Sequence, residues 1–184
     1  MAEPNHEELV DLGKEILDFA VSGGGGTFRG DSLEAKKYYI QAKEYFEKAC
    51  NLNYAKGCVS LGGLYEGENL VIGKENPRLK ERLKKAIQYY SKACDLNDKF
   101  GCSTLGAMQY IGKGVVKNEK QAMEKFEKAC KLGKQEACEM VTYKGLCELG
   151  HKEACEIFSL EVLCESLDQK ACDMSYDKKK ALGF

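Results

Sequence analysis

The stretch Ala86-Ile87-Gln88-Tyr89-Tyr90-Ser91-Lys92-Ala93-Cys94 has two further copies in the chain. They are Ala42-Lys43-Glu44-Tyr45-Phe46-Glu47-Lys48-Ala49-Cys50 and Ala122-Met123-Glu124-Lys125-Phe126-Glu127-Lys128-Ala129-Cys130. The aromatics Phe46, Tyr90 and Phe126 lie four residues before a Cys, and Ala42, Ala86 and Ala122 lie four residues earlier again. That spacing puts a small residue, a large one and a Cys on one face of a helix, helix B. After each copy come a Leu (Leu52, Leu96 or Leu132), a turn rich in Asn or Gly, and a second Cys. Leu61-Gly62 and Leu105-Gly106 follow three residues after Cys58 and Cys102. They open helix A of the next unit, where Gly permits close helix packing. Cys94 to Cys130 is 36 residues, and so is Cys102 to Cys138. A period in the thirties with two helices per unit predicts an α-solenoid.

The ten cysteines form five pairs: Cys50/Cys58, Cys94/Cys102, Cys130/Cys138, Cys147/Cys155 and Cys164/Cys172. Each pair encloses seven residues. An even count at regular spacing reads as a disulfide framework, and hence as an oxidising compartment. Ten Cys allow roughly 950 connectivities by the combinatorial rule. The repeat favours the one in which every pair closes on itself. Zinc is the rival, but paired zinc ligands favour two to four intervening residues, and only His6 and His151 could assist. No metal and no cofactor are therefore expected. No Cys stands apart as a catalytic thiol. The start Met1-Ala2-Glu3-Pro4 has neither a basic region nor an apolar one, unlike an export signal. Oxidised cysteines without that signal suggest a mature secreted or periplasmic form carrying an added Met. A mitochondrial intermembrane-space protein, oxidised after import, is the other option.

Composition agrees with a folded domain. Of the 184 residues 43% are hydrophobic and 31% charged, enough apolar side chains for a core. Twenty-eight Lys and Arg offset 29 Asp and Glu, with no basic block, which argues against nucleic acid as main partner. No apolar run approaches the roughly 18 residues of a membrane helix.

The Lys-Ala-Cys helix ends, the seven-residue Cys spacing, the Leu-Gly pairs and the loop Gly112-Lys113-Gly114-Val115-Val116-Lys117 resemble the Sel-one-like repeat, a relative of the tetratricopeptide repeat. Within it the pattern is similar to the Helicobacter cysteine-rich protein family, over about residues 40–138. The resemblance implies an all-α, right-handed solenoid of helix-turn-helix repeats stapled by local disulfides. It also implies penicillin binding with slow β-lactamase activity, and makes interaction with a host plausible. Each staple would join the end of helix B to the start of the next helix A. A loop of this size contributes roughly 2.5 kcal/mol in the chain-entropy model.

Two departures from the regular unit stand out. Leu105 to Ala122 is 17 residues, but Leu61 to Ala86 is 25 and Leu12 to Ala42 is 30. Both insertions fall between helix A and helix B, hence on one edge of the array, a common place for a binding face. In the first unit Leu9 stands where a Cys would be. The longer insertion carries Gly23-Gly24-Gly25-Gly26 and then Arg29-Gly30-Asp31-Ser32, the integrin-binding tetrapeptide. Arg29 and Asp31 are candidate contacts, while Asp31-Ser32 also suits a helix N-cap. The second departure is the tail, where pairs recur every 17 residues. This predicts short stapled helices over 138–148, 155–166 and 172–182 that cap the array, with Val141, Ile157, Phe158, Leu160 and Leu163 as their core.

Catalytic motifs are sparse. Ser175-Tyr176-Asp177-Lys178 is the one Ser-x-x-Lys, expected in a frayed terminus, and the Ser-Asp-Asn and Lys-Thr-Gly partners of a serine β-lactamase are missing. No catalytic residue is assigned. Gly112-Lys113-Gly114 reads as a turn rather than a nucleotide loop. In Tyr38/Tyr39 and Tyr89/Tyr90, one Tyr of each pair should pack inside. Tyr65, Gln109 and Tyr110 on helix A are the candidate contacts for an extended peptide, because Tyr offers area and a hydroxyl together.

The expected organisation is one repeat domain over 1–184. It comprises a degenerate first repeat (9–50), a second (51–94), a third (95–130) and a cap of short helices (131–184). The expected role is a monomeric, exported, non-catalytic binder of protein or peptide ligands, host-derived or linked to the cell wall. A weak β-lactamase and an intermembrane-space assembly factor are the alternatives.

Overall fold

The computed structural model describes residues 2–22, 33–67 and 78–183. The two insertions, with Arg29, Asp31 and the Asp31-Ser32 cap, lie largely outside these. Nine helices are described, and no strand occurs among the described residues. They fall into two compact units, Met1–Leu96 and Asn97–Phe184. The fold is of the expected class: all-α, helix-turn-helix repeats of the solenoid type, stapled by local disulfides.

The first unit holds α1 (His6–Ser22), α2 (Leu33–Asn51), α3 (Ala55–Gly67) and α4 (Leu79–Asp95). Each helix packs on the next in sequence. The repeated face of helix B is the buried one. Ala42, Phe46 and Cys50 on α2, and Ala86, Tyr90 and Cys94 on α4, are at most 3% exposed. The glycines of helix A set the approach. A Cβ on Gly62 would lie 2.9 Å from the Tyr90 ring, and one on Gly13 would lie 2.5 Å from Phe46. Gly13 thus does in the first repeat what Gly62 does in the second, so Leu12-Gly13 is the equivalent pair. Leu12 itself is 37% exposed, and Leu9 and Val10 fill the core instead.

The second unit holds α5 (Lys99–Ile111), α6 (Glu119–Lys131), α7 (Gln135–Glu148), α8 (Lys152–Glu165) and α9 (Gln169–Ala181). Asp98, Asn118 and Asp168 cap α5, α6 and α9, their side chains accepting from backbone N–H groups of the first turn. Gly106 meets Phe126 as Gly62 meets Tyr90, with a Cβ placed 3.0 Å from the ring. Gly112 and Gly114 take positive φ in the turn before α6, as a loop reading of Gly112-Lys113-Gly114 requires.

Four staples are Cys50–Cys58, Cys130–Cys138, Cys147–Cys155 and Cys164–Cys172; Cys94 and Cys102 are disulfide-bonded too, and no cysteine is free. Every stapled turn places a left-handed residue three positions after its first Cys: Asn53, Asn97, Gly133, Gly150 and Leu167. Asn and Gly suit that conformation, whereas Leu does not.

The tail differs from expectation in detail. Its helices are 14, 14 and 13 residues long, within one residue of the 13 of α5 and of α6. They begin three residues earlier than predicted, directly after the left-handed turn residue and one extended residue. Ile157 and Phe158 are buried and Val141 partly so. Leu163 is 37% exposed, because Val162, one position away on the helix, takes the inward direction. Met140, Tyr143 and Ala154 complete the core. The terminus is docked rather than frayed. Ser175 is 1% exposed, and its hydroxyl donates to Glu161 Oε1.

Candidate functional site

The first unit presents a cation–aromatic platform. Tyr65 on α3 and Tyr89 on α4 stack with ring centroids 5.6 Å apart and planes 11° from parallel. Lys43 Nζ lies 4.9 Å and Lys85 Nζ 5.4 Å from the Tyr65 centroid. Burial pushes the Tyr89 hydroxyl upward in pKa, with Tyr65 and Glu47 adding to it and Lys43 opposing. Tyr90, its sequence neighbour, points inward and donates to Glu66 Oε2 at 2.9 Å. The division of labour expected for that pair is therefore present. Tyr38 and Tyr39 are both half-buried, Tyr38 edge-on to Phe19 and Tyr39 donating to the Leu64 carbonyl.

In the second unit Tyr110 packs edge-on against Phe158 at 5.1 Å. Lys117 and Lys144 stand 5.6 and 5.7 Å from its ring, and Lys144 Nζ donates to its hydroxyl at 3.5 Å. Burial works against the Lys144 charge, yet Tyr110, Glu119 and Glu148 outweigh it and raise the pKa. Gln109 is 9% exposed, with its Oε1 buried and lacking a hydrogen-bond partner among the described residues.

A buried polar cluster joins α5, the α6–α7 turn and α8. Lys134 Nζ donates to Glu165 at 2.5 and 2.6 Å and to Ser103 Oγ at 2.7 Å. Ser103 Oγ lies 2.8 Å from Glu165 Oε2 as well. Ser103 is fully buried. A Ser beside a Lys suggests a nucleophile and its base, but this Lys is the cation of an ion pair, whereas a base must be neutral. No substrate reaches a hydroxyl so enclosed. The sequence carries one hint of the cluster. Lys134 occupies the N-cap position that Asp98 and Asp168 fill elsewhere, and makes no cap hydrogen bond. A cation there opposes the helix dipole, so its side chain has another purpose.

Between α7 and α9 lies a cavity of about 620 Å³. Tyr143, Leu146 and the stapled Cys138 form apolar wall, and Tyr176, Lys179 and Lys180 face them from α9. Lys179 is tied down by Glu139 at 3.0 Å and Glu161 at 2.8 Å, and sits 5.7 Å over the Tyr143 ring. Burial opposes its charge, but the two carboxylates outweigh that and raise its pKa. Burial likewise raises Tyr143. This site was not legible in the sequence, because it arises from two helices whose facing surfaces carry no common motif. His6 and His151 are both exposed, His6 tilted against Tyr54. Among the described residues no group of three His, Cys, Asp or Glu is placed to hold a metal, and no helix is long and apolar enough to cross a membrane.

Comparison with known proteins follows the same lines. A profile of the Sel1 repeat matches residues 20–54, 81–98 and 101–134. Beta-lactamase HcpA of Helicobacter pylori is 40% identical over 87 residues, which are 47% of this chain and 25% of that protein. The chain thus aligns with about a quarter of that relative's length. The solved Helicobacter pylori cysteine rich protein B is 38% identical, with 73% of this chain and 96% of that one covered, at a TM-score of 0.47. A Sel1 repeat protein from Oxalobacter formigenes is 18% identical with a TM-score of 0.57, covering 98% of this chain and 74% of that one, a likeness of fold alone. With helix B, the glycine contacts and the staples recurring in register, the chain belongs to the Sel1-repeat family and is a cysteine-rich member of it.

Proposed function

We propose that this chain is an exported, monomeric, non-catalytic repeat protein that binds a protein or peptide ligand, in contact between a bacterium and its surroundings or host. The observation that carries the reading is the Tyr65–Tyr89 stack with Lys43 and Lys85 over the Tyr65 ring. Partly exposed tyrosines bracketed by cations are rich in contact area and hydrogen-bonding capacity, as binding surfaces are. Tyr110 offers the same chemistry in the second unit. The oxidised cysteine set supports an oxidising compartment. A peptide array probed with oxidised protein tests the reading. Tyr65→Ala should abolish capture of the peptides that bind, at a stability cost of at least about 0.5–1.5 kcal/mol from the lost stack on Tyr89, with the helical circular dichroism unchanged. Equal capture by the variant refutes the role of this platform.

A weak β-lactam-processing activity is the second reading. It is favoured by the name of the relative HcpA. Turnover of a chromogenic cephalosporin that tracks the purified protein would establish it. No turnover by the purified protein removes this reading.

A further inference from the structure

We propose that α9 is a latch released by reduction: a small dithiol opens the Cys164–Cys172 staple before the others, and α9 then leaves α8. This goes beyond the binding role above and does not depend on it. α9 has little apolar burial to hold it. Its buried residues are Ala171 and Ser175. By contrast α8 buries Ala154, Ile157, Phe158 and Val162, and α7 buries Ala137, Met140 and Tyr143. One Ala methyl and one Ser hydroxyl gain little from leaving water, and an isolated helix of 13 residues is marginal. α7 packs against α6 and α8, and α8 against α5, α7 and α9, whereas α9 packs on α8. The other ties of α9 are polar: Ser175 to Glu161, Lys179 to Glu161 and Glu139, and Lys178 to Glu156. Partly exposed ion pairs add little each. The staple is therefore the principal restraint on α9.

Access and backbone strain single out this staple. Cys50, Cys58, Cys94 and Cys102 are at most 1% exposed, closed to a reductant. The six Cys of the other three staples are partly exposed. Cys130–Cys138 joins α6 to α7, and Cys147–Cys155 joins α7 to α8. There apolar packing keeps the two thiols adjacent after reduction, which favours re-formation of the bond. Cys172 instead moves away with α9. The turn acts in the same direction. It holds Leu167 at φ 68°, where the equivalent turns use Asn53, Asn97, Gly133 and Gly150. The Leu Cβ is crowded in that conformation, and undocking of α9 relaxes it.

The step is thiol–disulfide exchange. A thiolate of the dithiol attacks one sulfur, which breaks the Cys164–Cys172 bond and forms a mixed disulfide. The other Cys leaves as a thiolate and takes a proton. The second thiol of the reductant loses its proton and displaces the remaining Cys. Two electrons thus pass to the pair, giving two Cys thiols and a cyclic disulfide on the reductant. Release separates Glu139, Glu156 and Glu161 from their lysines and uncovers the α8 surface beneath Ala171 and Ser175.

The test equilibrates the oxidised full chain, without oxygen, at graded ratios of dithiothreitol to its cyclic disulfide. Alkylation and peptide mapping then read each Cys, and amide hydrogen exchange reads each helix. Cys164 and Cys172 should be half alkylated at a ratio at least about tenfold lower than any other pair, and α9 should lose protection there while α7 and α8 keep theirs. Leu167→Asn should raise that ratio about tenfold, the αL penalty of a Leu expressed as an equilibrium constant. Cys164→Ser/Cys172→Ser should show an unprotected α9 without reductant, on intact α7 and α8. Another pair opening at the same or a lower ratio would overturn the proposal. So would an α9 still protected after its staple opens, or in the double Ser variant. An unchanged ratio in Leu167→Asn would overturn the part assigned to the turn.

Discussion

Replacing Lys134 by Met separates a structural cluster from a catalytic one. The side chain is 8% exposed, and its ammonium makes three short contacts, two to Glu165 and one to Ser103. Met keeps the length and apolar stem but leaves the Glu165 carboxylate, 12% exposed, without its cation. Removing one partner of a buried pair costs about 3–5 kcal/mol. Glu165 keeps its contact with Ser103 Oγ, which points to the lower end, about 3 kcal/mol. With a urea slope of about 2 kcal/mol per molar, the midpoint followed by circular dichroism should fall by about 1.5 M. Lys134→Met/Glu165→Leu removes both charges and should recover most of the loss, because apolar replacements of a buried pair are often neutral. A single-variant cost under about 1 kcal/mol, or a double variant as unstable as the two single losses added together, would refute the reasoning.

Three further outcomes are expected. Leu167→Asn should stabilise the chain by about 1 kcal/mol, since Leu167 is 61% exposed yet held at φ 68°, where the equivalent turns use Asn or Gly; no gain in thermal midpoint would show that the Leu is anchored by more than its turn. Cys147→Ser/Cys155→Ser opens a staple between residues eight apart and should cost about 2.5 kcal/mol in denaturant unfolding, and the helical circular dichroism should persist. Tyr90 is 3% exposed and hydrogen-bonded to Glu66, and burial, followed by Glu66, raises its pKa far above the ordinary 10.0. Its stabilisation is therefore complete below pH 10.0 and lost as the pH rises beyond it. Tyr90→Phe should lose about 1 kcal/mol at neutral pH and flatten the alkaline decline; unfolding midpoints measured below and above pH 10.0 check both parts, and a decline as steep as the parent's would assign it to another group.

The sequence by itself determined the repeat. The Ala, aromatic and Cys face of helix B, the glycine opposite each aromatic, the local staples and the Asn or Gly turns are all written within a few tens of residues. Each depends on helix periodicity or on the φ a turn demands, both local properties of the chain. Tyr65 and Tyr110 were legible as candidate contacts on helix A for the same reason, and the pair Tyr89/Tyr90 as one inward and one outward ring, with the structure assigning the inward place to Tyr90. Tertiary structure alone decided the rest. Ser103, Lys134 and Glu165 stand 31 residues apart in succession and meet in a core that no short motif announces. Ser175 is docked rather than frayed because Glu161, on the preceding helix, reaches it. The α7–α9 cavity lies between two helices separated by a third, and Lys179 ties its walls together through Glu139 and Glu161. These features follow from how each helix is rotated about its axis when it packs. That rotation is set by the summed contacts of all its neighbours, not by the residues adjacent in sequence.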